Sequence, residues 1–64
     1  MFKKKYILID ERWKLIDTYR SNIKPSIDEL IYLNSKYYKI ISIIHTIEGG
    51  KNKLITIVVK EDMK

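Results

Sequence analysis

Thirteen of the 64 residues are isoleucine and none is alanine. No other feature narrows the fold of this chain so far. Isoleucine is β-branched and stiff at χ1, so it loses freedom in a helix and fits the pleated surface of a sheet. Five tyrosines point the same way. A chain of this length forms one domain and buries only about 60% of its unfolded surface. With no cysteine, it has neither disulfide staples nor thiolate metal ligands. Its stability must come from an efficient sheet core or from self-association. We therefore expect a single mostly β domain over residues 1–64, with a frayed tail at 61–64.

Turn chemistry divides the chain into five strands. Lys5–Ile9 is a first strand, closed by the polar pair Asp10-Glu11. Arg12–Arg20 alternates, with Trp13, Leu15 and Tyr19 on the core side and Arg12, Lys14, Thr18 and Arg20 outside. Ile16 and Asp17 break that alternation, which marks a bulge or bend. Ser21–Ser26 is a connector, since Pro25 cannot donate to a ladder. Leu30–Leu33 and Lys36–Ile47 flank Asn34-Ser35, a two-residue link suited to a type I′ hairpin. The turn signal of Glu48–Lys53, with Gly49-Gly50, leads into a last strand at Leu54–Lys60. A rival reading exists. Ser26-Ile27-Asp28-Glu29 fits a capping box, and Ile27, Leu30, Ile31, Asn34, Tyr37, Tyr38 and Ile41 lie at helical spacing. Its isoleucines and tyrosines are poor helix formers, so we expect at most a short helical turn near Ile27–Leu30.

Five short strands with local connections make a small, strongly bent antiparallel sheet. The run Pro25-Ser26-Ile27-Asp28-Glu29-Leu30-Ile31-Tyr32-Leu33-Asn34-Ser35-Lys36-Tyr37-Tyr38-Lys39-Ile40 resembles the "Pro … Gly-Asp-x-Ile … Gly-x-Tyr-Tyr-x-Val" segment of small SH3-like barrels. Those barrels include short proteins of bacteria, bacteriophages and mobile elements. Two positions depart from the pattern: Ile27 stands where glycine usually precedes Asp28, and Ser35 replaces the turn glycine. The resemblance covers about a quarter of the chain. It implies an SH3-like barrel and transfers no functional residue.

The chemistry-bearing residues are sparse. A nucleophile needs a positioned base, and the chain has one histidine and no cysteine. His45 sits within Ile43-Ile44-His45-Thr46-Ile47, where a structural role outweighs a catalytic one. The acidic pairs Asp10-Glu11, Asp28-Glu29 and Glu61-Asp62 are scattered, whereas a metal site needs clustered ligands. Gly49-Gly50 is followed by no helix start, so it is a hairpin tip and no phosphate cradle. We expect no enzyme activity, no cofactor and no small-molecule substrate. No segment reaches the roughly 20 apolar residues of a membrane span, and the basic start lacks the apolar run of a signal peptide. A cytoplasmic location and no membrane partner follow as expectations.

What remains is binding. The net charge of +5 favours anionic partners. Basic and aromatic residues interleave, and Lys3, Lys4, Lys39, Lys51 and Lys53 are candidate nucleic-acid contacts. Aromatic and arginine side chains dominate protein interfaces, which singles out Arg12, Arg20, Tyr32 and one of Tyr37 or Tyr38 as partner anchors. The last strands are apolar on both faces: Ile55, Ile57 and Val59 oppose Leu54 and Val58. A bulge that flips the register accounts for this, and so does a homodimer or hetero-complex burying both faces, which makes Ile55, Ile57, Val58 and Val59 assembly candidates. The sequence thus reads as a non-enzymatic protein-interaction module, homodimeric, of the phage or mobile-element accessory or inhibitor kind. The alternative is a nucleic-acid-binding small barrel.

Overall fold

The computed structural model describes residues 3–62, with the side chains of Asn52 and Lys53 outside the described residues. Five strands form one sheet: β1 (Lys4–Ile9), β2 (Leu15–Ser21), β3 (Leu30–Leu33), β4 (Lys36–Glu48) and β5 (Lys51–Glu61). Their order across the sheet is β2-β1-β5-β4-β3. The sheet curls into a half-barrel whose open edges are β2 and β3. Three pairings are antiparallel, but β1 and β5 run parallel, from Tyr6 beside Ile55 to Ile9 beside Val58. The sheet is therefore mixed, where sequence reading expected antiparallel pairing throughout. The reason is topological: four chain reversals separate β1 from β5, so β5 runs in the same direction as β1 when it returns to pair with it.

Register fixes which side chains meet. Tyr6 and Leu8 share the concave face with Ile55, Ile57 and Val59, and Ile40 completes a buried cluster. Ile16, Tyr19, Ile31, Leu33, Tyr38 and Ile43 pack around it. Burying each aliphatic side chain fully contributes roughly 1.5–3 kcal/mol. Two bulges make this packing possible. In β4, Ile40 faces Val59 while Ser42 faces Val58, so Ile41 is an extra residue and Ile40 and Ile43 both reach the concave side. In β2, Leu8 faces Asp17 while Ile9 faces Leu15, so Ile16 is extra and turns inward. The break in alternation at Ile16 and Asp17 is this second bulge.

The four assembly candidates are buried within the single chain. Ile55, Ile57 and Val59 are core residues of the single chain, at 7%, 0% and 1% exposure. They present no surface to a second copy. Val58 lies on the opposite face beside Ile9 and is also buried, which leaves it equally unavailable.

The turns follow the backbone demands of short hairpins. Glu11, Arg12 and Trp13 bridge β1 and β2, with Trp13 N–H donating to the Asp10 carbonyl and Asp10 N–H to the Lys14 carbonyl, both at 3.0 Å. Trp13 has φ 64°, the left-handed residue that follows a type I turn in a three-residue hairpin loop. The strand expected from Arg12 accordingly starts at Leu15. Trp13 and Leu15, expected in the core, are 70% and 62% exposed because the turn and the Ile16 bulge rotate them away. Asn34 and Ser35 both have positive φ, as a type I′ turn requires. Gly49 and Gly50 form the same kind of link, so β5 begins at Lys51, earlier than Leu54.

The β2–β3 connection crosses from one edge of the half-barrel to the other, with Lys24 and Pro25 beside Tyr6, Ile43 and Ile55. Near its end the Glu29 N–H donates to the Ser26 carbonyl at 3.2 Å, and Asp28 has φ 73°. That is a β-turn with a left-handed third residue, and no helical turn forms at Ile27–Leu30. The Glu29 carboxylate does reach back to the Ser26 N–H at 3.3 Å, half of the contact expected of a capping box. The tail also differs from expectation. Glu61 belongs to β5 and the Asp62 N–H donates to the Tyr37 carbonyl at 2.8 Å. Residues 63 and 64 lie outside the described residues.

Candidate interaction surface

Both sheet edges are guarded against pairing with another strand. On β2 the Asp17 side chain falls on the core-facing side and accepts from the Thr18 N–H at 2.7 Å, occupying an edge donor. Beside it sits the Ile16 bulge, and β3 has only four residues. Inward charges, bulges and short strands are the devices that blunt edges. Strand addition at either edge is thereby disfavoured.

Tyr32 and Tyr37 supply the clearest group. They face each other directly across the β3–β4 ladder, with ring centroids 4.8 Å apart and planes inclined at 52°. Leu30 stands two residues before Tyr32 and so shares its convex face. The three are 62%, 51% and 48% exposed, in the order Tyr32, Tyr37, Leu30. Tyr38 points the other way and packs against the core, which removes it from the partner-binding candidates. Adjacent residues in a strand must face opposite sides, so only one of the two could be free.

Trp13 is the residue the sequence misplaced. It is a largely exposed indole held at positive φ, a conformation that costs a bulky residue about 1–3 kcal/mol. The Asp10 carboxylate stabilises this loop by accepting from the Arg12 and Lys14 N–H groups at 2.8 and 2.9 Å. The Lys14 amide above all, and then the Arg12 amide and the two cations, hold the Asp10 carboxyl below its ordinary pKa. The sequence signal was present as Asp-x-x-x-Lys around a tight turn, but it was overridden by the apparent alternation of Trp13 and Leu15. Arg12 is exposed in the same loop, and Arg20 is exposed opposite Lys5 on β1.

The lysines do not form one face. Lys3 and Lys4 lie at the start of β1 and Lys51 at the start of β5, on the same end of the sheet. Lys39 lies toward the other end and is paired with Asp28 at 3.6 Å, while Lys36 pairs with Glu61 at 3.6 Å. The Lys53 side chain lies outside the described residues.

Two of the concavities on the inner side are bordered by charged groups of chemical interest. One, of about 790 Å³, is bounded by Asp10, Glu11, Arg12 and Lys14 on one side and Lys36, Tyr38 and Glu61 on the other. Its walls carry both charges in similar number, with no histidine or nucleophile set against a base. His45 is exposed and lines the smaller one, of about 60 Å³, with Lys4 and Lys24. Among the described residues no three His, Asp or Glu side chains cluster to hold a metal, and no helix is long and apolar enough to cross a membrane. No protein-family model matches the chain, and neither curated proteins nor solved structures give a match.

Proposed function

We propose that this chain is a non-enzymatic binding module that docks on another protein through the convex face around Tyr32 and Tyr37, on a half-barrel of SH3-like type. The observation that carries this reading is the tyrosine pair itself. Two contacting aromatic rings, with Leu30 on the same face, remain more than half exposed in a chain short of material for its own core. Tyrosine brings large, rigid contact area at low entropic cost and is enriched among interface hot spots. Trp13, exposed at the β1–β2 loop, is a second anchor of the same kind. A small protein with such a surface and no catalytic constellation suits an accessory or inhibitor role of the phage or mobile-element type, acting inside the cell.

The test is comparative capture of partners from the native host extract, using tagged wild type and the double variant Tyr32→Ala/Tyr37→Ala. Circular dichroism first establishes that both are folded. A partner retained by wild type and by His45→Gln, but lost by the double variant, supports the reading. Equal capture by all three chains overturns it.

A further inference from the structure

The thirteen cations and eight carboxylates look evenly mixed along the sequence, but the fold sorts them. β1 and β5 both start at one end of the sheet, where β2 and β4 finish. That end gathers Lys3, Lys4, Lys5, Arg20, Lys24 and Lys51 against a single described carboxylate, Glu48. Asp10, Glu11, Asp28, Glu61 and Asp62 lie toward the opposite end, interspersed with the remaining described cations, while Asp17 beside Leu8 and Glu29 near Tyr19 lie between the two. The cations of the basic pole also occupy both faces. Lys5 faces Arg20 on the convex side, while Lys4 shares the concave side with Tyr6.

Two further features give this pole a shape. Past the pairing of Tyr6 with Ile55, the residues Thr46–Glu48 and Lys51–Leu54 pair only with each other. They form a two-stranded ribbon whose base runs level with Lys4 and Lys5 of β1 and whose tip at the Gly49-Gly50 turn runs past them, and the molecule is 41 Å along its longest axis against 27 and 18 Å. At the ribbon's base the cavity of about 60 Å³ is bordered by Lys4, Lys24 and His45 over a floor of Tyr6, Ile43 and Ile55. It is large enough for one phosphate group.

We infer that the basic pole binds the phosphate backbone of a nucleic-acid duplex, with the β4–β5 ribbon entering a groove and Lys4 and Lys24 meeting a phosphate at its base. A two-stranded ribbon fits the major groove of B-form DNA, and cations at its base then lie where the flanking phosphates run. Such contacts position the protein without reading sequence, and they depend on salt through counterion release. This site is separate from the convex tyrosine surface.

The experiment uses the full chain and a short labelled DNA duplex of mixed sequence, followed by fluorescence anisotropy. Affinity should fall roughly 150-fold between about 50 and 200 mM salt, as for about four neutralised phosphates. The variant Lys4→Glu/Lys5→Glu/Lys24→Glu should lose binding altogether. A matched variant, Lys14→Glu/Lys36→Glu/Lys60→Glu, carries the same net charge and should retain binding within about tenfold. Both are checked for folding by circular dichroism, and Lys→Gln versions replace any that unfold. The Tyr32→Ala/Tyr37→Ala chain should bind the duplex like wild type, so the two sites succeed or fail independently. Equal loss in both triple variants would reduce the effect to net charge and overturn the inference. Binding to phosphatidylserine vesicles or to polyglutamate in preference to the duplex would overturn it as well.

Discussion

The sheet contains two tyrosine pairs built alike and placed differently. Tyr6 faces Tyr19 across β1 and β2, and Tyr32 faces Tyr37 across β3 and β4. Ring centroids are 5.2 Å apart in the first and 4.8 Å in the second. Each is a direct cross-strand pair of the kind that contributes about 0.5–1.5 kcal/mol beyond area burial. Yet Tyr6 is 2% exposed and Tyr32 62%. The difference lies in parity alone. Tyr6 is in register with Ile55 on the concave side, whereas Tyr32 and Tyr37 alternate with Ile31 and Tyr38, which took the concave positions. In a half-barrel, the face to which register assigns an aromatic pair decides whether it is buried in the core or left open on the surface.

That contrast is broken most severely by truncating one ring of each pair. Tyr6→Ala should cost about 3–5 kcal/mol in urea denaturation, as for other large core side chains. Tyr37→Ala should stay within about 1 kcal/mol of wild type. Similar losses at both would mean that the convex pair is also structural. Next in size is binding. Tyr32→Ala or Tyr37→Ala should weaken the captured complex by about 2 kcal/mol, roughly 30-fold in Kd, measured by titration calorimetry. Tyr19→Phe should leave such a complex unchanged.

Two backbone substitutions sharpen the role of the turns beside each pair. Ser35→Gly, at φ 65°, should raise stability by about 1 kcal/mol, since glycine carries no left-handed penalty. Trp13→Gly should raise it by a similar amount and should weaken the complex if the indole is an anchor. The smallest effect is ionisation. Burial first, and then the nearby Tyr6 and Glu29, push the Tyr19 phenol above its ordinary pKa. A group raised in the folded state contributes stability that is fully present below its unfolded pKa, near 10, and is lost as pH rises through the folded value. The thermal midpoint should therefore decline above pH 10, and Tyr19→Phe should flatten the decline.

Much of this fold was legible because it rests on local rules. Isoleucine content selected the sheet, Asn34-Ser35 and Gly49-Gly50 marked the hairpins, and the interruption at Ile16 and Asp17 marked a bulge. The parallel β1–β5 pairing was not legible, since no local rule joins strands that far apart in sequence. The Ile41 bulge was hidden because every residue from Ile40 to Ile44 except Ser42 is apolar, so either parity looks acceptable. The misreading of Trp13 followed from treating alternation as stronger than turn chemistry. At the candidate surface, adjacency showed that only one of Tyr37 and Tyr38 could be free, and tertiary register chose between them. The sorting of charge to one pole was invisible in a linear reading, because β1 and β5 contribute to it from opposite halves of the sequence.

The position of β5 at the centre of the sheet has a consequence for synthesis. The strand that carries Ile55, Ile57 and Val59, and that joins β1 to β4, is the last of the five to leave the ribosome. At roughly 5–20 residues per second, the segments of β1–β2 and β3–β4 wait up to seconds with their apolar side chains uncovered. Isolated two-stranded hairpins are marginal in water, so the nascent chain holds little structure until residues 51–61 emerge. Folding is then a single late event, and a ribosome stalled before Ile55 would display an unfolded, isoleucine-rich segment to chaperones and proteases.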